Sequence, residues 1–305
     1  MNTPPQTNQP IPKEIIAFII DRTARQLSPR TIKYYTDELG WFSAWLAHQQ
    51  PPITHIQQIT ADLIRQYQIH LSATRNPGGI HAAWRAIKAF LNWYTIELDD
   101  DTYRNPIRKV HPPKINQDPL PGIPIDHIKA LLAACNPKTT PGKRDKAIIT
   151  FLFDTGIRKE ELVNLTIADI NLKTGAVQII HGKGNKNRTV YLGASARREL
   201  IRYLRTRPET PPTAPLFLNQ AKTRLTGAGL RQIIRRRAAE ANIPEPGLHD
   251  FRRAFAIQSL RNGIDLITLM HLMGHTDTKV LQRYLKLVER DLQRGHEKSS
   301  PADAL

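Results

Sequence analysis

With 305 residues, 44 Lys and Arg against 27 Asp and Glu, and a formal net charge of +17, the chain is long enough for two domains and basic enough to make polyanions the expected partner class. Its one cysteine, Cys135, excludes an internal disulfide and a Cys-rich metal site, and fits a reducing compartment. No apolar run approaches the roughly 20 residues of a membrane span, and the polar, proline-rich start lacks an apolar signal core, so a soluble cytoplasmic protein with no membrane partner is expected.

Residues 1–11 read as disordered. Pro12 then opens a helical pattern in Ile15, Ile16, Phe18 and Ile19. Ser28-Pro29 supplies a cap and a first-turn proline for a second helix, on which Ile32, Tyr35, Leu39, Phe42 and Leu46 recur every three or four residues. A third helix, 60–72, carries Leu63, Ile64, Tyr67 and Leu71, and a fourth, 80–98, carries Ile80, Trp84, Ile87, Leu91 and Tyr94. A helical domain over 12–99 follows, without strand signals. Its polar faces hold Arg22, Arg25, Arg30, Lys33, Arg75, Arg85 and Lys88, each read singly as a solvated charge. The stretch 100–124 interleaves six prolines with Arg104, Arg108, Lys109, His111 and Lys114, which predicts an extended basic linker.

The second domain, 125–290, opens with a helix near Asp126 that buries Ile128, Leu131, Leu132 and Cys135. The next follows Pro141-Gly142, turns Ala147, Ile148, Phe151 and Leu152 inward, and stops at Thr155-Gly156. Arg158 starts another turn, with Glu161 three residues on. Between 169 and 192 the period changes to two: Val177, Ile179, Val190 and Leu192 alternate around Gly182-Lys183-Gly184-Asn185-Lys186-Asn187-Arg188, which predicts a hairpin with Lys183 at its tip. The glycine spacing does not match a nucleotide-binding P-loop. After a helix over 195–205 and a proline-rich loop, the helix 229–241 is expected to bury Leu230, Ile233, Ile234 and Ala238 and to turn Arg231, Arg235, Arg236 and Arg237 outward. Arg231, Arg235 and Arg236, with Lys186 and Arg188, are the candidate DNA contacts.

The segment 248–284 concentrates potential chemistry in short helices. His249 and Arg252, three apart, share a helix face and can converge on a small anion. His271 and His275 have the spacing of a zinc pair, but Gly274 between them breaks the helix and no His-Glu-x-x-His pattern is present, so no metal is expected. Residues 291–305 form a C-terminal tail, and the segment after Tyr284, Leu285 to Leu305, is a candidate for docking onto a neighbouring protomer.

Four stretches, in order, resemble the tyrosine recombinase, or phage integrase, family in its two-domain Xer-like form. Thr155-Gly156-Ile157-Arg158-Lys159-Glu160-Glu161-Leu162, followed by Leu165 and Asp169-Ile170, looks like the family's first arginine box, and Gly182-Lys183-Gly184-Asn185-Lys186-Asn187-Arg188 looks like its lysine hairpin. His249-Asp250-Phe251-Arg252 matches its His-x-x-Arg element, and Leu272-Met273-Gly274-His275 with Tyr284 matches the last box. Val280-Leu281, Arg253-Ala254 and Leu285-Lys286 depart from common family residues without removing a principal catalytic group.

The resemblance implies a mainly α fold: a SAM-like N-terminal helical bundle that binds DNA, then an α+β catalytic domain with a small antiparallel sheet. It implies a site-specific recombinase that breaks and rejoins double-stranded DNA through a 3′-phosphotyrosine, with no metal, ATP or other cofactor, as a tetramer on two sites. Arg158, Lys183, His249, Arg252, His275 and Tyr284 are then the catalytic set, with Glu161 orienting the basic groups. Tyr284 is the nucleophile, His249 its base, and Lys183 the acid for the leaving oxygen. A phosphodiester transition state needs such fixed cations, and planar guanidinium forks match its oxygens better than point charges. A type IB topoisomerase-like relaxing enzyme and a non-catalytic DNA-binding accessory protein are the competing readings.

Overall fold

Caps and prolines that punctuate the sequence are where the helices begin. The computed structural model describes residues 13–114, 121–180, 187–207, 210–274, 284–285, 300 and 302. Helix α1 (Lys13–Ala24) is followed by α2 (Pro29–Ala47), where the Ser28 hydroxyl accepts a hydrogen bond from the Thr31 amide at 3.2 Å. Thr60 caps α3 (Ala61–Ser72) through the Leu63 amide, and Asn76 caps α4 (Pro77–Leu98) through the Gly79 amide. Each cap satisfies an amide that the helix cannot, and Pro29 and Pro77 occupy first-turn positions where no amide is needed.

The chain divides into two units, Met1–Gln117 and Asp118–Leu305. In the first, the three-to-four spacing of apolar residues brings Phe18, Leu39, Phe42, Tyr67, Phe90 and Leu91 into one buried core. Burial of each such side chain stabilises the unit by about 1.5–3 kcal/mol.

The linker expected to be extended over 100–124 is partly folded. Pro106–Lys109 forms a 3₁₀ turn, and Ile107 and Val110 are buried in the first unit's core. Asn105, itself buried, makes this possible: its Oδ1 accepts from the Ile107 amide at 3.0 Å, and its Nδ2 donates to Leu91 O and Thr95 Oγ1 at 3.1 and 3.0 Å. The Trp84 indole and the Arg65 guanidinium donate to the carbonyls of Val110 and Lys109. Pro106 starts the turn, where its missing amide costs nothing. At the other end, Ile123 is buried in the core of the second unit.

The second unit begins with α5 (Ile125–Ala133) and α6 (Thr140–Thr155). A short α7 (Lys159–Asn164) leads to an antiparallel pair, β1 (Ala176–Ile179) and β2 (Arg188–Tyr191), in which Val177 faces Val190. Then come α8 (Ala194–Leu204), α9 (Gly227–Glu240), α10 (Leu248–Arg261) and α11 (Leu266–Met273). Helix α6 is the spine, with α5, α8 and α10 packed on it. The mainly α architecture with a small antiparallel sheet agrees with the expectation from sequence. Lys183 and Lys186, expected at the hairpin tip, lie outside the described residues, as do 1–12 and His275.

One carboxylate ties α6 to α9. Asp145 is fully buried; its Oδ1 accepts from Arg144 Nε and Nη2 at 3.0 and 2.9 Å, while its Oδ2 accepts from Arg236 Nη2 at 3.0 Å and from Arg237 Nε and Nη2 at 3.0 and 2.7 Å. Arg237 also donates to the carbonyl of Ala134 at the end of α5. Arg237, expected on the outer face of α9, is only 8% exposed. It lies four residues from Ile233 and three from Ile234, on the inward stripe, and Asp145 supplies the charge that lets it stay there.

Candidate active site

The site is assembled at the C-terminal end of α6, where Gly156 turns the chain at φ 57°. A Cβ at Gly156 would fall 2.5 Å from the Phe255 ring, so both backbone conformation and packing require glycine. This turn delivers Arg158 to the start of α7. There the Glu161 carboxylate reaches back: Oε2 accepts from the Arg158 amide at 2.9 Å, and Oε1 accepts from Arg158 Nη1 at 2.9 Å.

Arg188, at the start of β2, forks onto the same carboxylate, with Nη1 donating to Oε1 at 2.8 Å and Nη2 to Oε2 at 2.7 Å. Burial alone would raise the Glu161 carboxyl. The hydrogen bonds of Arg188 and Arg158 outweigh it and hold the pKa at about 2.

Helix α11 ends at Gly274, in the left-handed region at φ 63°. Its last carbonyls, left without helical partners, meet three guanidiniums. Leu272 O accepts from Arg188 Nε at 3.0 Å, Met273 O from Arg252 Nη2, and Gly274 O from Arg158 Nη2 at 3.3 Å. Cations belong at this negative end of a helix dipole.

Arg252 is 2% exposed and also donates Nη1 to Gly156 O at 2.6 Å, joining α10 to the turn before Arg158. Burial, and then the positive charges of Arg158 and Arg188, lower its pKa to about 9, which leaves it charged at neutral pH. Tyr284 is near enough to act on Arg252 in the opposite sense, and it is 7% exposed in a cluster with Ala256, Ile257, Leu269 and Met273. His249, one helical turn before Arg252 on α10, has its pKa lowered by partial desolvation of the ring and by the charges of Arg252, Arg253 and Arg158, against the opposing charge of Asp250. Its imidazole is therefore neutral at neutral pH.

Residues 123–290 match the model of the phage integrase family. This chain belongs to the phage integrase family. It is similar to tyrosine recombinase XerC of Pelobacter propionicus, with 31% identity covering 96% of this chain and 97% of the relative. It is also similar to tyrosine recombinase XerD of Listeria monocytogenes, with 28% identity covering 95% and 98%. The XerH site-specific recombinase in a post-cleavage complex with palindromic difH substrate shares its fold, at TM-score 0.72 and 20% identity over 99% of this chain and 91% of that one.

Within this phage integrase family member, the structure brings together Arg158, Glu161, His249, Arg252 and Tyr284. Lys183 and His275 fall outside the described residues. The candidate DNA contacts separate into two kinds. Arg231 and Arg235 are exposed on α9 and share Glu245, at 3.3 and 2.9 Å, while Arg236 is half-exposed and lines an open groove with Asn219, Gln220 and Gln232. Arg188, by contrast, is turned inward, its side chain 10% exposed, because Glu161 and the Leu272 carbonyl occupy its donors. Lys186 is outside the described residues.

Among the described residues no group of three or more His, Cys, Asp or Glu could hold a metal ion, and no helix is long and apolar enough to cross a membrane. Sequence reasoning missed the inward role of Arg188 and the Asp145 hub. The second had a signal: Asp145 shares a helical stripe with buried Ile148, Ile149 and Leu152, where a carboxylate requires buried partners.

Proposed function

We propose that this protein is a site-specific DNA recombinase that cuts and rejoins duplex DNA through a 3′-phosphotyrosine at Tyr284. The observation that carries the proposal is the convergence of Arg158, Arg252 and Tyr284 on the end of α11, with His249 within reach of the charges of both arginines. Three guanidiniums stand around one carboxylate there, which leaves a surplus of positive charge suited to a phosphodiester and to the further negative charge of its transition state. The relatives named tyrosine recombinase, and the structural neighbour bound to its DNA substrate, support the same activity.

In this mechanism Arg158 and Arg252 hold the non-bridging oxygens of the scissile phosphate. The Tyr284 hydroxyl, ordinarily titrating near ~10, gives its proton to the neutral imidazole of His249, and its oxygen attacks phosphorus. The P–O5′ bond breaks and the 5′ oxygen takes a proton from Lys183. The phosphotyrosine conserves the bond energy, so a 5′ hydroxyl from a partner strand reverses the step without ATP. His275 is assigned a hydrogen bond to the same phosphate. We assign Arg231, Arg235 and Arg236 to the DNA backbone, the assembly to a tetramer of protomers on two sites, and the location to the cytoplasm.

A topoisomerase-like enzyme would share the cleavage step, so the test is strand exchange. Sites selected by this protein from random duplexes, placed as pairs on one plasmid, are expected to yield recombinant circles. Relaxation of supercoils without exchanged flanks would replace this reading with the topoisomerase.

A further inference from the structure

Arg188 stands at the foot of the lysine hairpin, where the sequence suggests a surface cation, yet its side chain is 10% exposed and three of its five N–H donors are committed inside the protein. Both Nη groups take the two oxygens of Glu161, and Nε takes the Leu272 carbonyl at 3.0 Å. The packing is close: a Cβ at Gly274 would fall 2.9 Å from the Arg188 Cδ. Glycine in Leu272-Met273-Gly274-His275 is thus needed for its positive φ and for the room it gives this arginine.

Glu161 is the group that orients Arg158, through both the amide and the guanidinium of that residue. Left alone, a largely buried carboxylate holding one partly exposed arginine would still be free to rotate about its own side chain. The Arg188 fork removes that freedom, since each carboxylate oxygen then accepts from both arginines.

We propose that Arg188 is a positioning residue of the cleavage centre, locking Glu161, and through it Arg158, to the C-terminal turn of α11. This rests on the recombinase reading above. It replaces a DNA contact with a mechanical one: β2, the start of α7 and the end of α11 meet on one planar group. A lysine cannot do this, because a single ammonium lacks the planar fork that spans two carboxylate oxygens while a third donor points elsewhere.

The test uses the full chain carrying Arg188→Lys or Arg188→Gln, with three readouts: thermal melting, affinity for a selected duplex, and the single-turnover rate of covalent adduct formation on a nicked version of that duplex. We expect both variants to keep wild-type DNA affinity and to lose cleavage about 100-fold, the scale of a misplaced catalytic group. Arg188→Lys, which preserves the charge, is not expected to rescue. Gly274→Ala, pressing on Arg188 from the other side, should reproduce the loss.

Wild-type cleavage by a folded Arg188→Lys variant would overturn the proposal, as would a loss of DNA affinity equal to the loss of cleavage. Should Arg188→Gln fail to fold, Arg188→Lys decides alone. If the wild-type protein binds its duplex yet forms no adduct, the recombinase reading fails and this proposal with it; an adduct that Arg188 variants form at full rate overturns this proposal only.

Discussion

Asp145→Asn is expected to destabilise the second unit by about 3–5 kcal/mol, the cost of stripping a buried charge from its partners. Asp145 has no exposed surface and accepts from Arg144, Arg236 and Arg237. Arg144 and Arg237 are themselves buried, so the substitution leaves the Arg144 guanidinium inside the protein with no carboxylate opposite and Arg237 with Glu240 alone. The effect should reach function, because the same carboxylate fixes α9, with its exposed arginines, to the spine helix that delivers Arg158. Urea denaturation followed by a probe in the second unit measures it. Asp126→Asn is the control: Asp126 pairs with Lys129 in full solvent, and its loss should cost no more than about 0.5 kcal/mol. Equal, small losses in the two variants would contradict the hub.

Glu161→Gln should cost about 3–4 kcal/mol at neutral pH, and the cost should disappear in acid. The folded carboxyl lies near 2 against a reference value of 4.5, a difference of about 2.5 at about 1.4 kcal/mol per pH unit. A depressed folded pKa contributes stability that is complete above about 4.5 and is lost as pH falls toward 2. The gap between wild type and Glu161→Gln, measured by urea midpoints, is therefore constant from pH 7 to about 5 and closes between 4.5 and 2. A gap that does not change with pH would mean that the Arg158 and Arg188 bonds do not depend on ionised Glu161.

Local chemistry was legible wherever a single residue decides local geometry. Ser28, Thr60 and Gly156 mark helix ends because each satisfies or frees a backbone group at its own position. The hairpin strands were legible because Val177, Ile179 and Val190 alternate. The candidate site was legible as an ordered set of residue types, since its chemistry demands arginines, histidines and a tyrosine. What the sequence did not disclose is which way a cation points. Arg188 and Arg235 are alike in a string, but Arg188 finds Glu161 and the Leu272 carbonyl, while Arg235 meets Glu245 in solvent. Nor does a count of prolines register Asn105, whose side chain folds the stretch after α4 back onto the first core.

The most direct test of the account is the covalent bond itself. A nicked duplex carrying a selected site loses the short fragment after cleavage and traps the enzyme on the 3′ end. We expect an adduct whose only modified peptide contains Tyr284, formed without added metal or ATP and abolished in Tyr284→Phe. An adduct that persists in Tyr284→Phe, or none on a duplex that the protein binds, would contradict it.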